Sequence, residues 1–278
     1  MREESSVLCA KLEALREKRG FPGITGAVVT ADGREFIASA GLADPDAKVA
    51  MPPDAVMLQA SVGKMYLGAI ARVLSDQGVV ALDAPVSHYL NSRPWFVRLP
   101  NHGTMQLRHL LSHSAGLQDY MHVPAFGPLA RNLISDPDLF WEPEVLIGCI
   151  LDLPPLFEPG EGFAYSDAAF LVAGLAIESA AGESYYDLVR NLILNPWNLS
   201  QTYAANERAI PGMVPGFRGA NPMGLPRRSM ENGQLTLHPG SEWAGGGWAS
   251  SCGDMAKFAQ RLLGGQDSRH RTAVKDNA

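Results

Sequence analysis

The sequence predicts an α/β fold: an antiparallel sheet flanked by helices, joined to a mainly helical lobe, with the sheet incomplete. Three observations carry this. Two β-prone runs, 24–30 and 35–41, flank Asp32-Gly33, a pair suited to a tight hairpin. Helical spacing of apolar residues then dominates from 61 to about 199. Finally, 278 residues, 46% hydrophobic and 19% charged, are enough for a sizeable core split between two lobes and exclude a disordered or fibrous chain.

Taken in order, Ser6 is expected to cap a first helix whose Leu8, Leu12 and Leu15 recur at helical spacing, with Lys18-Arg19-Gly20 at its carboxyl end. This helix should lie on the hairpin. A loop rich in Asp and Pro covers 44–54. The next helix carries Leu67, Ile70, Ala71 and Leu74 on one face and stops at Gly78. Residues 107–111 form a short helix ending at Ser114-Ala115-Gly116, and Pro- and Gly-containing loops are expected to carry the chain on to Pro159-Gly160. Residues 168–181, almost all apolar and small, read as a buried helix, and 183–194 as an amphipathic one. From 204 to 240 Pro and Gly are frequent, so irregular structure or short strands are expected. A last helix, 254–263, follows the run Gly245-Gly246-Gly247. The expected division is 1–60 as the amino-terminal part of the sheet domain, 61–200 as the helical lobe, and 201–278 as a return segment with the final helix.

The balance of 23 basic against 29 acidic residues, net −6 with both signs scattered, argues against a nucleic-acid partner or an anionic membrane surface. No stretch approaches the roughly 20 apolar residues that span a bilayer. Residues 1–6 lack the pattern of a signal peptide, so the expected location is the cytoplasm, or the periplasm or exterior if a leader has been removed. Cys9, Cys149 and Cys252 are far apart with no C-x-x-C spacing, which suggests neither a disulfide framework nor a zinc knuckle, and they are expected to be buried thiols. His109 and His113 are four apart, but Leu110 stands where a zinc H-E-x-x-H helix requires glutamate. The run Gly245-Gly246-Gly247 lacks the pattern of a phosphate loop and reads as a tight backbone passage. No metal or organic cofactor is expected.

Ser61-Val62-Gly63-Lys64 places a lysine one helical turn after a serine. A serine hydroxyl is a poor nucleophile until a base within hydrogen-bond reach takes its proton, and residues three apart on a helix share a face. A helix amino terminus adds positive potential and a free N–H for a developing oxyanion. On its own S-x-x-K is not specific, and Ser61 as a helix cap with Lys64 in solvent is the other reading. A second constellation runs from Pro159-Gly160 to Tyr165-Ser166-Asp167, just ahead of the buried helix. A phenol there can accept the serine proton or pass one to a leaving group. Alternatively, Ser166 or Asp167 caps the helix while Tyr165 packs at the edge of the core.

Four blocks in fixed order, Leu58 to Lys64, Leu107 to Leu117, Pro159 to Asp167 and Ala244 to Ser250, resemble the serine β-lactamase and penicillin-binding-protein group. The likeness is to its class C β-lactamase, D,D-carboxypeptidase and β-lactamase-like esterase branch, and it covers nearly the whole chain. The resemblance implies that Ser61 is the acylated nucleophile, Lys64 its partner and Tyr165 the base of a Y-x-N motif, with the block around His109 and His113 a structural turn. It implies two-step acyl transfer through an acyl-enzyme, on a small-molecule ester, a β-lactam or a D-amino-acid amide. Two departures stand out. Asp167, at the substrate-binding position, replaces the motif's asparagine and exchanges a neutral amide for a group that is normally an anion. The third motif, K-T-G or H-x-G on a strand, is expected after the final helix with the remaining strands and a second oxyanion donor. His238-Pro239-Gly240 fits its letters but precedes the glycine run, and proline suits a central strand poorly. The alternative expectation is therefore a truncated, impaired relative that binds a ligand or partner without efficient turnover, and the unpaired sheet edge invites self-association.

Overall fold

In the computed structural model, which describes residues 2–219 and 225–264, the chain opens with α1, Arg2–Arg19. Ser6 lies inside this helix instead of capping it; serine costs a helix interior only about half a kcal/mol relative to alanine, so the helix runs through it. β1, Gly23–Val29, and β2, Glu35–Asp44, form the expected antiparallel hairpin, with Ala27 opposite Ile37 and Gly23 opposite Gly41. Gly33 turns the corner at φ 83°, a conformation that side chains disfavour. β2 runs longer than its sequence pattern suggests, and its far end pairs with β3, Val49–Ala50, inside the Asp- and Pro-rich stretch. The order is β1-β2-β3. Leu12 of α1 packs against Gly26 on one face, while Ile37, on the other, lies against Gly253 of α11, Cys252–Leu263.

A second sheet joins distant parts of the chain: β4, Val56–Leu58, and β5, Thr202–Ala204, flank β8, Trp248–Ser251. Met57 and Thr202 both meet β8 at Ser250, and every residue of β8 is buried. Three or four residues are too few to show alternation, and β8 is half serine, which is why the sequence pattern did not reveal these strands. Between 204 and 240 the chain is mostly irregular, as expected, but holds a small hairpin, β6 Met230–Glu231 with β7 Gln234–Leu235. Asn232 and Gly233 turn it, both at positive φ, and that dipeptide was a readable hairpin signal.

The helical lobe comprises α2, Lys64–Asp76, α3, Ser87–Leu90, α4, Leu107–Leu111, α5, Phe126–Ser135, and α6, Pro143–Ile147. α5 and α6 stand where loops were expected; Pro128 and Pro143 fall in their first turns, where a missing N–H costs nothing. It continues through α7, Asp167–Ala181, α8, Tyr185–Val189, and α9, Asn195–Trp197. α7 is the axis. Its first eleven residues are all buried, since small side chains let α2, α3, α4, α6 and α8 approach on every side. Ser166 caps its amino end by accepting from Ala169 N, and Gly182 ends it in the left-handed region. The single amphipathic helix expected over 183–194 is instead split: a π turn at Arg190–Leu194 separates α8 from α9, where Pro196 has no N–H to return to the preceding turn. Leu67, Ile70 and Leu74 of α2 share one core with Leu107, Leu110, Ile177, Trp248 and Phe258, so the lobe packs directly onto β8 and α11. α10, Trp243–Gly246, connects to β8, and Ser251 caps α11 by accepting from Asp254 N. No helix among the described residues is long and apolar enough to cross a membrane.

Candidate active site

Ser61 sits where the chain leaves β4 and enters α2. Gln59 N–H donates to Trp248 O, tying the exit of β4 to β8, and Ala60 then takes φ 44°, a left-handed conformation that costs a non-glycine residue about 1–3 kcal/mol. A 3₁₀ turn, Ala60–Gly63, follows and runs straight into Lys64, the first residue of α2. Ser61 and Lys64 share a face here because side chains at i and i+3 eclipse in a 3₁₀ turn. Ser61 is exposed whereas Lys64 is only 6% exposed.

Lys64 Nζ has three acceptors. It donates to Ser61 Oγ at 3.2 Å, to Gly245 O at 2.5 Å, and to Asp167 Oδ1 in an ion pair buried on both sides. Gly245 reaches it because α10 lies against the 3₁₀ turn with nothing between them; a Cβ on Gly246 would stand 2.6 Å from Ala60 O. The expected tight passage is thus real, though its backbone is helical. Tyr165 O–H donates to Ser61 Oγ at 2.6 Å and lies 3.4 Å from Asp167 Oδ1, and Lys64 Nζ stands 5.0 Å from its ring centroid. Ser61, Lys64, Tyr165 and Asp167, drawn from two segments about a hundred residues apart, therefore converge. Asp167, first residue of α7, is buried and meets Lys64 and Tyr165.

The loop carrying Tyr165 is strapped to the turn after α4. Gly160 N donates to Ser114 O, Ala164 N to His113 O, and Asn101 Nδ2 bridges Ala115 O and Phe157 O. His113 stacks on Tyr165 with centroids 4.3 Å apart and accepts from Ser166 N at Nδ1. His109 does something different: its Nδ1 accepts from Gln106 N and closes a capping box on α4. Burial, with Lys64 adding to it and Asp167 opposing, holds the His113 imidazole below the usual histidine range.

Two acidic residues that feel the charge of Asp167 were not read from the sequence. Asp119 is buried; its Oδ1 accepts from Met121 N, its Oδ2 has no partner, and burial, reinforced by the charge of Asp167, raises its carboxyl above the usual range. Glu242 reaches solvent at the wall of a recess of about 260 Å³, beside Ala60 and Gly246, yet protein surrounds it on most sides. That desolvation, with Asp167 added and Lys64 opposing, raises its carboxyl too. No pattern marks either position, because each acts through distant neighbours. His238 of His238-Pro239-Gly240 caps the 3₁₀ turn Pro239–Glu242 and stacks on Phe140, so this H-x-G stands on a helical turn and not on a strand. The segment after α11, 265–278, lies outside the described residues. Of the three cysteines expected to be buried, Cys149 is, whereas Cys9 on α1 is exposed and Cys252 at the start of α11 is half-buried. Among the described residues no group of three or more His, Cys, Asp or Glu could hold a metal ion.

Known proteins resemble the chain in sequence and in fold. The chain is 28% identical over 204 residues to penicillin-binding protein 4* of Bacillus subtilis (strain 168), across 73% of this chain and 42% of that protein. To esterase EstB of Burkholderia gladioli it is 30% identical over 201 residues, 69% of this chain and 50% of that one. The chain spans about half the length of these curated relatives. In structure it is similar to a D-stereospecific amidohydrolase from Streptomyces sp., with TM-score 0.77 and 24% identity over 94% of this chain and 74% of that one. A D-amino acid amidase from Ochrobactrum anthropi SV3 gives TM-score 0.77 and 22% identity over 95% and 72%. The two structures share the fold, and residues 9–277 match the family described as Beta-lactamase. The chain belongs to the Beta-lactamase family.

Proposed function

We propose that this chain is a serine hydrolase that forms an acyl-enzyme on Ser61 and acts on small esters or amides. The observation that carries the reading is one exposed hydroxyl within hydrogen-bond reach of both a buried lysine and a phenol. An ammonium has three donors and no acceptor. Lys64 has three acceptors, two of which, the Asp167 carboxylate and the Gly245 carbonyl, have no proton to give. Lys64 is thus best used as a cation that fixes Ser61 Oγ and stabilises negative charge growing there. The Tyr165 oxygen is then the group placed to receive the Ser61 proton.

As Ser61 Oγ attacks the carbonyl carbon, its proton passes to Tyr165 Oη while Tyr165 gives its own proton to the leaving oxygen or nitrogen. The phenol ends the step neutral. The first-turn N–H of Ser61 has no helical acceptor and can face the oxyanion. Deacylation runs the same relay in reverse with water as the nucleophile.

Asp167 already pairs with Lys64, so that cation does not draw a second anion to the site. Substrates carrying a carboxylate, such as penicillins, are disfavoured against neutral short-chain esters. Steady-state hydrolysis of p-nitrophenyl acetate tests the roles: Tyr165→Phe is expected to lower kcat/KM by about 10²–10⁴-fold, the usual cost of losing a proton-transfer group, and Lys64→Ala by about 10²–10³-fold, the usual cost of removing a preorganised donor that stabilises developing charge. Values within threefold of the unmodified protein would contradict the assignment.

A further inference from the structure

We propose that His113 is the positioning residue for Tyr165, supporting the phenol face to face and fixing the chain on both sides of it through an unprotonated Nδ1 and its own carbonyl. This rests on the reading of Tyr165 as the group that receives the Ser61 proton. Tyr165 is 42% exposed on a loop, so packing alone holds it weakly. His113 O accepts from Ala164 N at 2.9 Å, and His113 Nδ1 accepts from Ser166 N at 3.2 Å. The residues before and after Tyr165 are therefore both bonded to one histidine, whose ring lies 4.3 Å from the phenol ring at 29°. Phe170 and Phe163 contact the same imidazole, at 4.9 and 5.8 Å, and restrict its tilt.

A backbone N–H can donate to Nδ1 only if that nitrogen has no proton, so the neutral ring is the Nε2–H tautomer. His113 also stands at φ 56°, where a non-glycine residue is strained, and its two bonds across to the Tyr165 loop offset that cost. The charged groups facing the ring are Lys64 from α2 and Asp167 from α7. Burial and Lys64 favour the neutral form, against Asp167. The sign follows: the Ser166 bond is intact at neutral pH and is lost as pH falls through the lowered His113 value, when Nδ1 becomes a donor facing another donor.

Two variants separate the parts of this role. His113→Asn keeps a short acceptor and tolerates the left-handed backbone but removes the ring, whereas His113→Phe keeps a ring and removes the acceptor. Each is expected to lower kcat for p-nitrophenyl acetate by about 10–100-fold with KM within about twofold, the scale of a small misplacement of a reacting group. The acid limb of the kcat profile below the ordinary histidine range should vanish in both. Unchanged kcat and an unchanged acid limb would overturn the proposal. Nitrogen-15 spectra of the imidazole in the native protein give a readout independent of turnover and of variant folding. An unprotonated Nδ1 at pH 7 that gains its proton only below the ordinary range supports it, and an Nδ1–H tautomer overturns it. If Ser61 proves not to be acylated, the tautomer and Ser166 bond still decide whether His113 fixes Tyr165.

Discussion

At the residue scale the site turns on Asp167. A carboxylate paired with Lys64 in a buried position holds that lysine by charge and geometry together, and an asparagine there would keep the oxygen but lose the charge. Removing one member of a buried pair usually destabilises, but an isosteric amide still accepts from Nζ. Asp167→Asn is expected to fold and to raise the ratio of kcat/KM for a penicillin to that for a neutral ester about tenfold, from about 1–2 kcal/mol of relieved repulsion at roughly 10 Å. Paired kinetics on the two substrates measure it, and an unchanged ratio would show that this carboxylate does not select substrates. Ser61 and Lys64 were legible in the sequence because three-residue spacing is local. Tyr165 was legible through its motif. Asp119 and Glu242 were not, because their placement depends on how α10 and the 119–122 turn pack about Asp167.

At the scale of elements the decisive contact is between the 3₁₀ turn Ala60–Gly63 and α10. It brings the Gly245 carbonyl onto Lys64, and it exists because neither Gly63 nor Gly246 has a side chain to hold the two backbones apart. Gly246→Ala forces a methyl against Ala60 O and should cost about 1–3 kcal/mol of stability, the usual range for overpacking. Because the shift also moves Gly245 O from Lys64, ester hydrolysis should fall together with the melting temperature. A melting curve and a rate matching the unmodified protein would show that this approach is looser than described. The sequence revealed α1, α2, α7, α11 and the first hairpin, where the pattern runs for many residues, but not α5, whose Gly127-Pro128 reads as a loop. β4, β5 and β8 stayed hidden because each has three or four residues and is held by partners 44 or more positions away. The π turn between α8 and α9 was hidden as well, since its apolar spacing resembles that of a continuous helix.

At the scale of the whole molecule, two consequences follow from the order β1-β2-β3 and from the convergence of two distant segments on Ser61. Among the described residues β1 has a strand neighbour on one side only, and Val28 on it is 46% exposed. An open edge of this kind pairs readily with another chain. Sedimentation velocity should detect self-association that rises with concentration and is reduced by Val28→Lys, which places a charge at the edge; a monomer at all concentrations would contradict this. The central claim is that the folded chain performs acyl transfer at Ser61, and intact-mass spectrometry after incubation with a fluorophosphonate tests it most directly. The account predicts one adduct per chain, mapped to the peptide containing Ser61 and absent from Ser61→Ala. A native protein that stays unlabelled, or a Ser61→Ala protein that still takes the label, would contradict it.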